Sequence, residues 1–494
     1  MKDGIGNDIG TAGPAEWADI DWKSARRRVK SLRQRIYRAT QEGKQNKARC
    51  LMKLMLRSYS NLLLAVRRVT QENRGKQTPG VDKQIALTPT GRMRLVRQML
   101  GHKAWQVNPV KRVYIPKASG KRPLGIPTIK NRIAQAIVRN ALEPCWEARF
   151  EANSYGFRPG RSCHDAIAQC WIRLNRRAKD KWVLDADIKG AFDNIAHCFI
   201  LEAIGPVPGR ELVKQWLKAG YMEREIFHAT TSGVPQGGII SPLIANVALD
   251  GMESLSRKAG LGFVRYADDF VVTATSKEKL LEFQPILEEW LGQRGLTLHP
   301  EKTRIVHISD GFDFLGFNIR QYGGKCLVKP ARDKVFDFLR GISTWLKENR
   351  NAKPEAVIAF LNPILRGWAN YYRHASSKDV YAYVDSRLWR MLWRWCLRRH
   401  PNKGKGWVVN RYFDNAHGRS WRFSATTMDE HGHRINMTVM NVTTIKIRRH
   451  VKIRGTASPD DPRLIDYWSA RKVSRRDSEE TPVALRKCTL ETSA

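Results

Sequence analysis

No stretch of this chain approaches the roughly 18 consecutive apolar residues that a bilayer-spanning helix needs, so a membrane protein is not expected. Its start carries Asp3, Asp8, Glu16, Asp19 and Asp21 rather than an apolar core, so no secretory signal is expected either. Cysteine is sparse and scattered: eight residues, at 50, 145, 163, 170, 198, 326, 396 and 488, with no C-x2-C pair. That spacing suits neither a zinc knuckle nor a disulfide framework, and points to reduced thiols in a cytoplasmic protein. Acids are scarce relative to bases, 47 Asp and Glu against 87 Lys and Arg, a net charge of +40 over 494 residues. A folded chain that tolerates such self-repulsion is expected to bind a polyanion, nucleic acid being the commonest. There is no internal repeat. With 42% hydrophobic residues and 16 Trp, the chain can bury a large core and is not mainly disordered. Its length suggests about three domains.

Residues 1–22 read as a flexible N-terminus. Between residues 23 and 57 stand 13 Lys and Arg against one acid, Glu42. Leu32, Ile36, Leu51, Leu54 and Leu56 fall among them at partly helical spacing, which predicts basic amphipathic helices facing phosphate. Residues 111–127 predict a β-hairpin turning at Ser119-Gly120, its arms crowded by Lys111, Arg112, Lys117, Lys121 and Arg122. Residues 182–188 alternate as a strand does, and 262–275 read as strand, tight turn, strand. A helix is expected from Ser241-Pro242 to about Ser256, a second over 277–294, and a hairpin over 303–329. This mixture predicts an α+β fold up to about residue 325. From Ala331 onward the texture is helical: residues 331–454 hold 25 Lys and Arg, 9 Asp and Glu and seven Trp. Along 388–399 Trp and Arg interleave, the Trp suiting a core face and the Arg a phosphate-binding one. The last forty residues are polar and show no periodicity.

Chemistry concentrates at Asp268 and Asp269, adjacent acids in the tight turn of a strand pair. Asp in a turn is ordinary. Two carboxylates side by side near a sheet nevertheless repel unless a cation neutralises them, and hard oxygen ligands select Mg2+ or Mn2+. Asp187 ends a strand that could lie beside the turn. Three such carboxylates can hold two metals about 3.5–4 Å apart, as in-line phosphoryl transfer requires. With a basic hairpin upstream to take a triphosphate, the pieces fit a polymerase.

At these residues the chain resembles the group II intron-encoded reverse transcriptase/maturases, over about residues 22–471. The matching motifs are Tyr266-Ala267-Asp268-Asp269, Asp185 to Asn194, 231–242 (TSGVPQGGIISP), 153–162 (NSYGFRPGRS), 122–135 and Leu315-Gly316-Phe317, in the family's order. The resemblance implies a right-hand polymerase, fingers and palm over 81–325, followed by an all-α thumb or maturase (X) domain over 326–454. It implies an RNA-binding N-terminal extension over 23–80, with Arg26, Arg27, Arg28 and Lys30 as candidate contacts. Asp187, Asp268 and Asp269 become the catalytic metal ligands for two Mg2+, with Mn2+ as a substitute, assisted by the Ile188 carbonyl. Phe192 becomes the gate against a ribose 2′-hydroxyl, or else a core ring. Gln236 would contact the incoming nucleotide. Lys117 and Arg122, with Arg112, would hold the triphosphate, or else grip template phosphates. Leu315, Gly316 and Phe317 form the primer grip, and Arg398, Arg399, Lys403 and Lys405 bind RNA. Implied partners are the group II intron RNA, an RNA template and DNA primer, target DNA and dNTPs, at a nucleoid-associated location. Longer relatives continue into an HNH endonuclease. Here 455–494 reads as a DNA-binding remnant and tail without one, and no second-strand cleavage is expected. A splicing-only maturase with a dead polymerase, or a reverse transcriptase serving defence or repair, are the alternatives.

Overall fold

The computed structural model describes residues 16–100, 105–117, 120–414, 421–428 and 431–479, with the side chains of Lys117 and 473–479 outside that set. Ser119, in the expected hairpin turn, and Cys488 also lie outside the described residues.

Helices α1 (Trp22–Gln41), α2 (Gln45–Arg57) and α3 (Tyr59–Arg67) fold back on one another. Asp21 caps α1, its carboxylate accepting from the Lys23 and Ser24 amides at 3.0 Å each. The apolar stripe expected in this segment is real. Ile36, Met52, Met55 and Val66 are buried in one core with α5 (Ile129–Glu147), beyond α4 (Pro89–Leu100). Two boundaries move as a result. Trp17 and Ile20 are buried, with the Trp17 ring tilted against that of Trp22 at 4.8 Å, so order begins before residue 22. Residues 1–15 lie outside the described residues. At the other end α4 packs on α3, so the helical unit passes the expected limit at residue 80.

Strands β1 (Val110–Lys117) and β2 (Gly120–Ile126) form the expected hairpin, Ile115 opposite Arg122. After α5 come α6 (Cys163–Leu174), β3 (Trp182–Asp187), α7 (Ala191–Asn194), α8 (His197–Ile204) and α9 (Arg210–Lys218). Then β4 (Tyr221–Glu223) and β5 (Ile226–His228) complete a fingers sheet in the order β2-β1-β4-β5. The single helix expected over 241–256 is two, α10 (Ser241–Ala248) and α11 (Met252–Lys258). Gly251 sits between them at φ +101°, a conformation that ends one helix and starts the next at little cost only for glycine. Ser241 does not cap: its hydroxyl donates to the Pro235 carbonyl at 2.8 Å.

The palm is an antiparallel sheet, β6 (Gly262–Tyr266), β7 (Asp269–Ala274), β3 and β8 (Arg304–His307), in the order β6-β7-β3-β8, with α12 (Lys277–Gly292) against it. The period of two divides its side chains. Leu184, Ala186, Phe263, Phe270 and Val272 point into the core shared with α5; Val183, Val264 and Val271 point into the core shared with α6 and the thumb. The hairpin expected over 303–329 is therefore wrong in part, because β8 pairs with β3. Strands β9 (Phe312–Phe314), β10 (Phe317–Tyr322) and β11 (Lys325–Pro330) make a separate meander. A domain limit at 325/326 would cut β11.

Helices α13 (Arg332–Glu348), α14 (Pro354–Tyr372), α15 (Lys378–Arg399) and α16 (Lys405–Tyr412) build the thumb. It is not all-α: β12 (Phe413–Asp414), β13 (Arg422–Met428) and β14 (Arg434–Thr438) form a small sheet whose Phe423 is buried. Nor is it separate, since Leu361, Leu365 and Tyr381 share one core with the palm's Val183 and Val271. The C-terminal stretch also departs from expectation, forming α17 (Ile465–Glu479). It is held by point contacts rather than an apolar stripe: the Trp468 ring lies against Gly160, and Arg471 donates to Asp165 at 3.0 Å, while just before the helix Arg33 of α1 grips Asp460 at 2.7 and 2.9 Å. Among the described residues no helix is long and apolar enough to cross a membrane.

Candidate active site

Asp187 and Asp269 are register partners across β3 and β7, on the face that also carries Val183 and Val271. Directly opposed side chains have Cβ atoms about 4.5–5.5 Å apart, where like charges are destabilising. Asp268 stands in the two-residue turn between β6 and β7, whose Ala267 takes φ +61°. That strained turn is braced from behind. Arg265, fully buried, donates to the Ala267 carbonyl at 3.0 Å and to Asn246 at 3.1 Å, and Asn246 donates to the Gly156 carbonyl at 2.9 Å. A Cβ on Gly156 would meet the Ala267 amide at 2.2 Å, so only glycine lets this loop back the turn. Nothing in sequence spacing announces Arg265 in this role.

The electrostatics follow from the geometry. Burial, then Asp187, raise the Asp268 carboxyl. Burial and the neighbours Asp268, Asp187 and Asp185 push Asp269 up to about 7. Asp269 keeps a side open to solvent, so the carboxylate repulsion is the cause to weigh most. Asp185, pushed up to about 6 by burial, is paired with Arg304 at 3.1 Å. Asp187 is held by Lys302, from a single 3-10 turn before β8. Lys302 and Arg304 are site residues that the sequence reading missed; the signal was two cations at i, i+2 entering a strand, the spacing that puts them on one face. As placed, no three His, Cys, Asp or Glu side chains converge on one point among the described residues. The excess negative charge and hard oxygen donors fit a divalent cation, and the Lys302 ammonium supplies that charge to Asp187 here. Ile188 is buried and bridges Leu298, leaving its backbone as the group next to Asp187.

Around this centre the structure gathers several of the remaining sequence-predicted residues. The Phe192 carbonyl accepts from the Val234 amide at 2.6 Å, and Gln236 donates to Asp193 at 3.3 Å. Phe192 is half-buried, edge-on to Phe157 at 6.1 Å. The Gly125 amide donates to the Gln236 carbonyl at 2.6 Å, so the fingers hairpin docks on the same loop. Arg122 is exposed and its charge reaches both Asp193 and Asp268. Arg112 is committed to the Tyr221 ring, 3.5 Å from its centroid. Lys117 ends β1 opposite Gly120, and its side chain lies outside the described set.

One expectation needs correction. Leu315 and Gly316, at φ +50° and +77°, form the turn between β9 and β10, their carbonyls accepting from the Tyr371 and Tyr372 hydroxyls at 2.8 and 3.2 Å. Phe317, however, is 1% exposed beneath those tyrosines, so it anchors the turn and cannot touch a primer. Arg399 is half-buried and donates through one nitrogen to the Arg350 and Ala352 carbonyls. Arg26, Arg27, Arg28, Lys30, Arg398, Lys403 and Lys405 are exposed.

Comparison with known proteins bears directly on this arrangement. Residues 17–99 match the N-terminal domain of reverse transcriptase, 115–319 match reverse transcriptase (RNA-dependent DNA polymerase), and 336–413 match the group II intron, maturase-specific domain. Protein YkfC of Escherichia coli is 33% identical, the match covering 59% of this chain and 90% of that one. The chain belongs to the group II intron-encoded reverse transcriptase/maturases. Group II intron-encoded protein LtrA of Lactococcus lactis is 28% identical over 68% of this chain and 72% of its own length. Among solved structures, telomerase from Candida albicans aligns with a TM-score of 0.35 at 12% identity, covering 61% and 64% of the two chains, and adds no weight. This reverse transcriptase/maturase thus joins an RNA-directed DNA polymerase, with an α+β fingers and palm, to a maturase domain.

Proposed function

We propose that the protein binds its own group II intron RNA, aids its splicing, and copies it into cDNA from dNTPs during insertion at a DNA target. The observation that carries the polymerase reading is the Asp187–Asp269 register pair with Asp268 in the adjoining braced turn. Asp187, Asp268 and Asp269, with the Ile188 carbonyl, would hold two Mg2+, or Mn2+ in their place. Bound there, the metal would activate a primer 3′-hydroxyl and neutralise the leaving pyrophosphate. Lys302 would release Asp187 as that charge arrives. Arg122 and Lys117 would steady the triphosphate, and Gln236, tethered to Asp193, would line the nucleotide's path. Its location would be nucleoid-associated in the cytoplasm, where RNA and DNA partners are both at hand.

Phe192, held by its own carbonyl to the loop that carries Gln236, would sit beneath the sugar as the gate against ribose. Phe192→Ala is expected to raise ribonucleotide incorporation relative to dNTP incorporation by at least tenfold. Single-nucleotide extension with rNTP and dNTP measures it, and an unchanged ratio would return Phe192 to the core.

The exposed cations of α1 and the thumb would hold RNA by counterion release. Deleting α1 and α2 is a poor test, because it strips the buried Ile36, Met52 and Met55 from the core of α5. Replacing Arg26, Arg27, Arg28 and Lys30 by Ser keeps the core. The slope of log affinity against log salt should then fall by about 0.7–0.9 for each phosphate that is no longer neutralised. A slope equal to wild type would place the RNA elsewhere.

A further inference from the structure

Away from the polymerase centre, α6, the β10–β11 hairpin, the end of α14 and the extended chain after β14 enclose a cavity of about 580 Å3. Its walls include Ile167, Trp171, Val328 and Ala375, which give it an apolar, ring-accepting interior. The extended chain brings two cations to the rim. The Arg449 guanidinium lies 5.3 Å from the Trp171 ring centroid, and Lys452 is partly buried beside it. Neither side chain has an ion pair or hydrogen bond with another described residue. Around them, residues 446–454 carry five Lys and Arg and no acid. An apolar slot with a guanidinium stacked at its mouth and a second cation beside it matches a nucleotide, base inside and phosphate at the rim.

Two lining imidazoles sharpen the fit. His374 Nδ1 is 2.8 Å from the Arg448 carbonyl, and His450 Nε2 is 2.9 Å from the Asp165 carboxylate. Both partners only accept, so those two nitrogens carry protons. The opposite nitrogen of His374 has no hydrogen-bond partner among the described residues. Burial also holds His374 down to about 4, keeping it neutral near pH 7. The opposite His374 nitrogen is therefore an acceptor that suits a base edge offering an N–H.

We propose that this cavity takes one unpaired nucleotide of bound RNA, its base beside Trp171 and its phosphate on Arg449 and Lys452. The choice of RNA over a free nucleotide rests on the function proposed above. The test uses the full chain and a 12-nucleotide RNA with a central 2-aminopurine, a fluorescent amine-bearing base that stacking quenches. Quenching on binding is expected, with at least tenfold weakening in Ala168→Trp, which fills the cavity, and in the double variant Arg449→Ala/Lys452→Ala. Saturable quenching of free 2-aminopurine riboside 5′-monophosphate, lost in the same variants, would keep the nucleotide site but overturn the RNA source. Quenching that survives both variants, or no quenching, would overturn the site. Templated primer extension by Ala168→Trp at the wild-type rate shows the polymerase reading intact whichever way the cavity test falls; a wild-type protein that binds no RNA would instead overturn the function proposed above.

Discussion

Asp268→Asn is expected to abolish cDNA synthesis, and Asp187→Asn to do the same, while RNA affinity and its salt dependence stay at wild-type levels. Each substitution leaves the side chain's shape and hydrogen-bonding reach in place. What it removes is one negative charge from a centre whose carboxylates repel each other and so attract a cation. On the metal-binding role proposed above, losing one charged ligand would forfeit several kcal/mol of transition-state stabilisation, roughly a thousandfold or more in rate. The turn itself should survive, because Arg265 and Gly156 brace the backbone and not the carboxylate. Primer extension and filter binding on the same preparations separate the two effects. Extension by either variant within tenfold of wild type would remove that acid from the catalytic set.

The second large effect is on stability. Asp165→Ala is expected to cost about 3–5 kcal/mol, because it removes one partner of a buried charge network. Asp165 is fully buried near the start of α6 and accepts five hydrogen bonds. Two come from Ser162, and the others from His450, the Ile453 amide and Arg471, at 2.8 to 3.0 Å. Burial alone would raise its carboxyl, but His450, the Ile453 amide and Arg471 outweigh it and hold it well below the usual carboxylate range. A depressed carboxylate stabilises the fold above its unfolded value near 4, and that contribution is lost as pH falls further. With Asp165 gone, His450, Ile453 and Arg471 lose this anchor, while Arg161 still holds the Gly455 carbonyl and Arg33 still holds Asp460. The expected signature is a lower melting temperature, with new protease cleavage beyond residue 440 at temperatures where the wild type is protected. An unchanged melting temperature with an uncut C-terminal segment would refute the anchoring role.

How legible these features were depends on the range of the interactions that make them. The strands ending at Asp187 and flanking Asp268 could be read because their alternation is local and both faces are buried. The amphipathic α1 and α2 were readable for the same reason, from Ile36 and Leu51 at helical spacing. Lys302, Arg265 and Asp165 were not, since each acts on a residue brought near only by the fold. The thumb sheet was hidden by the helical texture around it. α17 was hidden because Trp468 and Arg471 fix it at two points rather than along a stripe. The break at Gly251 was visible as Asp250-Gly251, a turn signal that the run of apolar residues before it masked.

The most direct test of the polymerase assignment is extension of a DNA primer annealed to a defined RNA template, with the purified chain, four dNTPs and Mg2+. Template-length cDNA is expected, stopped by a chelator, restored by added Mg2+, and absent when Asp268→Asn replaces the wild type. A folded protein that binds RNA with the expected salt dependence yet extends no primer would contradict it, leaving a splicing-only RNA-binding maturase.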